Sequence, residues 1–282
     1  MTDPVLIGTM GDDRGRLRDV HAYGDFCVAH ALAQIKNDYG VTAVVKPKSL
    51  LKFGRTGNAD DGVKTTVATF QDAVVNETFA TTNAIDRIIS DNAGDGETVG
   101  IEGHTIADGV FTFVTQTATL NGQTAVTLTT PLARATRIYN TDSTELAGNV
   151  YVFENVTTSS GVPDTAANTH LMIAAGEQQS EKASTTISDK DYWIITQVFG
   201  SVNRGNTANI DMALEVRLAG GVFRPRVRWT VRSTGQNAIT IDICPAVIVP
   251  SNSDVRIVAT SDTANTTVDG WINGYLALDQ SA

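Results

Sequence analysis

Between Asn209 and Arg232 apolar and polar residues alternate with a period of two. Ile210, Met212, Leu214, Val216 and Leu218 are interleaved with Asp211, Ala213, Glu215 and Arg217. After Gly220 and Gly221 the alternation restarts. Phe223, Pro225, Val227, Trp229 and Val231 then share one face, and Arg224, Arg226, Arg228 and Arg232 share the other. A period of two is the strand signature, and the glycine pair makes the segment a β-hairpin. Keeping both apolar faces on one side sets a register in which Leu218 opposes Phe223 and Glu215 opposes Arg226. Pro225 has no N–H to give to a ladder, so its strand belongs at a sheet edge or turns its nitrogen to the unpaired side.

The same pattern recurs from Glu97 onward. ETVGIEG, VFTFVTQTATL, QTAVTLTT, LARATRIYN, GNVYVFENV, THLMIA, YWIITQVFG, AITIDI, VRIVAT and WINGYLAL all read as strands separated by turns. Asn121-Gly122 has the composition of a two-residue hairpin turn. Val150 to Phe153 is apolar on both faces, as in a strand covered twice. These features predict an all-β, antiparallel β-sandwich of jelly-roll-like form over residues 97–282, with Trp229 and Trp271 in its core. Residues 157–169 read as a long, outward loop. Residues 54–96 are turn-rich, with GNADDG and DNAGDG clusters and short strands between, and read as a connecting region. Residues 1–53 read as an N-terminal arm. Within it, residues 25–40 are open to two readings. Asp25 N-caps a short helix with Phe26, Ala29, Leu32, Ala33 and Ile35 on one stripe and Gly40 past its end, or FCVAHAL is a strand.

Composition narrows the function classes. The 282 residues carry a net charge of −10, which argues against a nucleic-acid or anionic-membrane partner, since either needs a basic face. No window is apolar enough for a membrane span. MTDPVLIGTMGDDRG lacks a basic n-region and a long apolar run, so no signal peptide is expected. Cys27 and Cys244 form no CxxC, and with nothing to mark export a disulfide between them is not expected.

A search for chemistry finds little. There is no G-x-S-x-G elbow, no HExxH and no phosphate loop, and His21, His30, His104 and His170 are scattered. Asp91, Asp95, Gly96 and Glu102 match positions of a calcium loop. Position three is Ala93, however, and no helical pattern flanks it, so a plain turn is expected. No catalytic residue, cofactor or metal is assigned, and the chain is not expected to be an enzyme. The notable feature is positive charge in two places. Lys46, Lys48, Lys52 and Arg55 cluster in KPKSLLKFGR, and Arg217, Arg224, Arg226, Arg228 and Arg232 form a ladder on the hairpin. Each set reads either as a solvated face, with Glu215 pairing Arg226 and Asp211 lying diagonal to Arg228, or as a candidate interface for an acidic protein surface.

LLKFGRTGNADD (50–61), the run from Ile88 to Asn155 containing TATLNGQTAVTLTTPLARATRIYN, and SDVRIVATSDTANTTVDGWINGYLAL (253–278) together resemble a family of tailed-bacteriophage virion proteins. The resemblance starts at Leu50 and contains no catalytic motif. It implies a virion structural protein, a decoration or cement protein that binds the outside of the capsid and is made in the host cytoplasm. Its implied partners are the major capsid protein and further copies of itself in a homo-oligomer such as a trimer. A tail, adaptor or fibre component, with or without host-glycan binding, is the alternative.

Overall fold

The computed structural model describes residues 15–59, 62, 64–67, 79–203, 207–234, 237–264 and 266–280, with the side chains of 15–26, 44–49 and 57–59 left out. One helix, α1 (Gly15–Tyr39), comes first. The strands follow as β1 (Ala43–Ala59), β2 (Thr65–Thr66), β3 (Ile85–Ser90), β4 (Thr98–Ala107), β5 (Val110–Thr119), β6 (Val126–Leu132), β7 (Arg134–Asn140), β8 (Val150–Glu154), β9 (Thr158–Ser159), β10 (Val162–Pro163), β11 (Thr169–Ile173), β12 (Gln179–Glu181), β13 (Ser184–Thr186), β14 (Asp191–Asn203), β15 (Asn209–Arg217), β16 (Arg224–Arg232), β17 (Ala238–Val249), β18 (Asp254–Ser261) and β19 (Thr266–Asp279).

The expected all-β antiparallel sandwich is present, and it comes as two sandwiches rather than one. In the first, sheet β11-β8-β3-β6 faces sheet β12-β7-β4-β5. Alternate residues such as Ile88, Ile101, Leu132, Ile138, Val152 and Leu171 fill the space between them. In the second, the long sheet β1-β19-β14-β17 covers β13-β18-β15-β16, to which β2 adds by pairing with β18. Its core holds Trp193, Ile195, Met212, Trp229, Ile257 and Ile272. Only Lys182 and Ala183 separate the last strand of the first sandwich from β13 of the second. Trp271, expected inside, instead stacks on its cross-strand neighbour Phe199 on the outer face of the long sheet, with ring centroids 5.5 Å apart. The core place is taken by Trp193, which is fully buried.

The boundary drawn at residue 53 falls inside β1, which pairs with β19 from Ala43↔Asp279 to Ala59↔Thr266. The helix starts at Gly15, ten residues before the expected cap at Asp25, and ends where Gly40, at φ +70°, donates back to the Lys36 carbonyl. Ala31, Leu32 and Ile35 seat α1 on Tyr192, Ile194, Ala246 and Ala277 of the long sheet. Residues 15–53 are thus built into the second sandwich rather than laid out as a free arm. Cys27 of α1 and Cys244 of β17 form a disulfide across 217 residues, contrary to the expectation of free thiols.

Two turns exchange roles. Asn121-Gly122 does not close a hairpin, because β5 lies in one sheet and β6 in the other; the turn carries the chain across the first sandwich. The Gly122 N–H donates to Asp95 and its carbonyl accepts from Ser90, so the turn is held by the preceding loop. The tight hairpin is Asp108-Gly109. Both residues have positive φ, +52° and +80°, and β4 pairs with β5 over ten residues without a shift.

A peptide map under non-reducing conditions should find the Cys27 and Cys244 peptides linked. Cys27→Ser then lowers stability to denaturant by up to about 5 kcal/mol, the chain-entropy limit for so long a loop. Recovery of both cysteines as thiols from air-exposed protein would refute it.

Candidate functional site

The predicted hairpin exists as β15 and β16, with Met212 opposite Trp229 and Ile210 opposite Val231. The register slips between Leu214 and Glu215. Glu215 faces Pro225 rather than Arg226, which becomes the extra residue of a bulge. The strand lies at the sheet edge, where the missing N–H of Pro225 costs no ladder bond.

The slip redirects the charges. Glu215 is buried and does not meet Arg226. One of its oxygens accepts from Lys64 Nζ at 2.7 Å, and the other from Arg256 Nε and Nη2 at 3.0 and 2.9 Å. Burial alone would raise this carboxyl, but the bonds from Lys64 and Arg256 outweigh it and leave its pKa below the usual carboxylate value. Asp211 accepts from the Thr230 hydroxyl instead of lying against Arg228. Arg217 turns inward: its Nε donates to Asp254 at 2.8 Å. The other Asp254 oxygen accepts from Thr186 at 2.6 Å and from Arg134 at 3.3 Å.

These groups assemble at the junction of the two sandwiches. The Arg134 guanidinium lies over Phe111 and Phe79, Arg217 over Phe79 and Phe223, and Arg256 over Phe223, all with carbon-to-centroid distances between 3.9 and 5.1 Å. Rings and cations thus alternate from Phe111 to Arg256. Phe111 and Arg134 come from the first sandwich, and Arg217 and Arg256 from the second.

The expected cation sets divide accordingly. Lys52, expected at an exposed interface, is buried and paired with Glu181 at 2.7 Å. Desolvation raises the Glu181 pKa, against the pull of Lys52. Arg55 is half-buried and reaches Asp269 at 3.4 Å. Lys46 and Lys48 lie on β1, and their side chains fall outside the described residues. Arg217 belongs to the junction. Arg224, Arg226, Arg228 and Arg232 remain exposed on β16, and none of the four has an ion pair among the described residues. The calcium-like loop is a turn. Asp95 accepts from Ser90, Ala147 and Gly148, Asp91 accepts from Asn149, and Glu102 lies away on β4 against Arg137.

Beside the junction, a cleft of about 360 Å³ opens between the sandwiches, lined by Lys52, Glu102, His104, Phe113, Thr115 and Ser188 among others. Sequence reading missed both junction and cleft. Asp254, Arg134 and Phe79 carry no local motif, and Arg134 meets Asp254 across 120 residues of chain.

No protein-family model matches the chain, and neither does any curated protein sequence. Among solved structures, the VP2 subviral particle of infectious bursal disease virus aligns over 85% of this chain and 73% of that one, at 7% identity and a TM-score of 0.21. The Gt strain structure of the same virus aligns over 85% and 75%, at 7% identity and a TM-score of 0.16. Likeness at this level carries no argument about function.

His104 supplies a pH test. Burial, with Lys52 and Arg134 nearby, lowers its pKa from 6.5 to about 3. Below pH 6.5 the unfolded chain binds a proton that the folded chain refuses, so stability falls with pH, by up to about 1.4 kcal/mol per pH unit, until the folded value is reached. Between pH 6.5 and 4.5 His104→Gln should flatten the curve of urea midpoint against pH, since the shifted carboxyls Glu181 and Glu215 are common to both proteins. Parallel curves for the two proteins would contradict the assignment.

Proposed function

We propose that this chain is a structural component of a tailed-phage particle. It coats the outside of the capsid as a decoration or cement protein and docks on an acidic face of the major capsid protein through the β16 arginines. The observation that carries this reading is the set of exposed arginines on β16: Arg228 and Arg232 share the outer face opposite Ala213 and Asn209, Arg226 stands at the bulge, and Arg224, opposite Val216, lies at the end of the strand. Four exposed guanidiniums without ion pairs among the described residues stand on one edge strand of a chain whose net charge is −10. Planar guanidiniums suit bidentate capture of carboxylates. The resemblance of residues 50–61, 88–155 and 253–278 to virion proteins supports the setting. A closed homo-oligomer, such as a trimer at a three-fold axis, follows from capsid symmetry. Binding only to the assembled shell would stabilise that shell by mass action. The role needs no catalysis.

Arginines, a proline and a bulge are also devices that keep an edge strand from pairing with another edge. Docking and edge protection use the same residues but differ in outcome. The double change Arg226→Glu with Arg228→Glu should weaken binding to assembled shells at least ten-fold and leave the fold intact, with the loss growing smaller as salt is raised. Shell binding unaltered by the double change would assign the set to edge protection alone.

A second reading, a tail, adaptor or fibre component that contacts host glycans, is favoured by the cleft beside Phe113. Copy number separates the two. Quantitative mass spectrometry of purified particles should give about one copy per shell subunit for decoration. About a dozen copies or fewer would place the protein at a unique vertex and favour the second reading.

A further inference from the structure

We propose that the cleft between the sandwiches binds a neutral sugar, one pyranose unit of a glycan, with Phe113 as its platform; this rests on the second reading above and names its site. The cleft lies where two packed units meet, and its volume of about 360 Å³ falls within the range of small-molecule sites.

Charge selects the ligand class. The ammonium of Lys52 is neutralised by Glu181 at 2.7 Å, and Glu102 is held by Arg137 at 3.1 Å. Asp191, which also lines the cleft, is not free either. Among the described residues, none of the three charged side chains that line the cleft is without a partner. What remains is polar and neutral. The exposed Thr115 and the half-buried Ser188 make no side-chain hydrogen bond among the described residues.

His104 adds a second, independent sign. Its side chain is almost wholly buried, yet neither ring nitrogen has a hydrogen-bond partner among the described residues, and Nδ1 is fully enclosed. The enclosed Nδ1 is out of a ligand's reach, so the ring meets the cleft through Nε2, which in the neutral imidazole can exchange one hydrogen bond with a sugar hydroxyl. Against it, edge-on at 5.4 Å, stands Phe113. That ring is 47% exposed, a poor situation for a phenylalanine with nothing to cover. The negative face of an aromatic ring attracts the weakly positive C–H side of a pyranose. A platform, flanking hydroxyls and a neutral imidazole are together the groups that such a sugar needs. With few atoms to contact, one unit should bind at roughly millimolar strength.

The test is saturation-transfer NMR on the full chain with the methyl glycosides of glucose, galactose, mannose and N-acetylglucosamine, followed by titration of any that respond. At least one should bind. Phe113→Ala should weaken it ten-fold or more, and Thr115→Val by a few-fold. Both positions are exposed, so neither change threatens the fold. Arg226→Glu, at the exposed bulge of β16 and outside the cleft lining, should leave sugar affinity unchanged. No response from any glycoside at tens of millimolar overturns the proposal, as does a response that survives Phe113→Ala and Thr115→Val undiminished. Beads bearing the responding sugar as a terminal unit distinguish sources. If free glycoside binds the cleft but whole particles ignore the beads, the site stands and the host-attachment reading falls.

Discussion

The alternation of phenylalanine rings with guanidiniums at the junction is the constraint on which the rest of the structure depends. Phe111, Arg134, Phe79, Arg217, Phe223 and Arg256 interleave, and Asp254 and Glu215 take up the charge from the sides. Each stacking contact is worth about 0.5–2 kcal/mol, more as water is excluded. The carboxylates matter more for a different reason. Arg134 and Asp254 are both buried, and removing Asp254 takes the carboxylate away from Arg134 and Arg217 alike, at about 3–5 kcal/mol. Lysine could not replace these arginines, because only a planar, weakly hydrated cation lies flat on a ring while its edge still donates to a carboxylate.

This junction fixes which surfaces remain for function. The β15–β16 hairpin contributes Arg217 and Phe223 to it at one end, and beyond the bulge at Arg226 the strand alternates, with Trp229 and Val231 in the core and Arg228 and Arg232 exposed. One ladder of five arginines in the sequence is thereby split. Arg217 is spent inside, and Arg224, Arg226, Arg228 and Arg232 are left outside. The basic cluster before it divides in the same way, with Lys52 drawn in by Glu181.

How far the sequence could have foretold this depends on range. Short-range signals were legible: period-two strands, the glycine-linked hairpin, the edge position of Pro225 and the end of α1 at Gly40. The register beyond Leu214 was not, because alternation assumes a regular ladder and a bulge breaks it by one residue. Asn121-Gly122 has hairpin chemistry but is followed by a strand of the opposite sheet, a choice made by packing rather than by the turn. The start of α1 was hidden because GRLRDVHAY lacks an amphipathic stripe and an obvious cap. The disulfide, the Lys52–Glu181 pair and the Arg134–Asp254 pair join positions 217, 129 and 120 residues apart. No periodicity reports such partners. A lysine in a basic cluster looks solvated until the carboxylate that meets it is known.

Long-range pairing also explains why the two proposed surfaces differ in character. Where the sandwiches meet, desolvation makes an unpaired charge expensive, so the charges beside the cleft are matched: Lys52 with Glu181, Glu102 with Arg137. The cleft inherits hydroxyls, an uncharged imidazole and an aromatic ring, a lining suited to neutral polar ligands. At the free edge of β16, water screens each guanidinium, and an unpaired arginine there costs little. Charge left unmatched at an edge is available to an outside carboxylate, whereas charge matched at a junction is not. One fold therefore offers an ionic face and a neutral cleft, and the difference follows from how much water each position keeps.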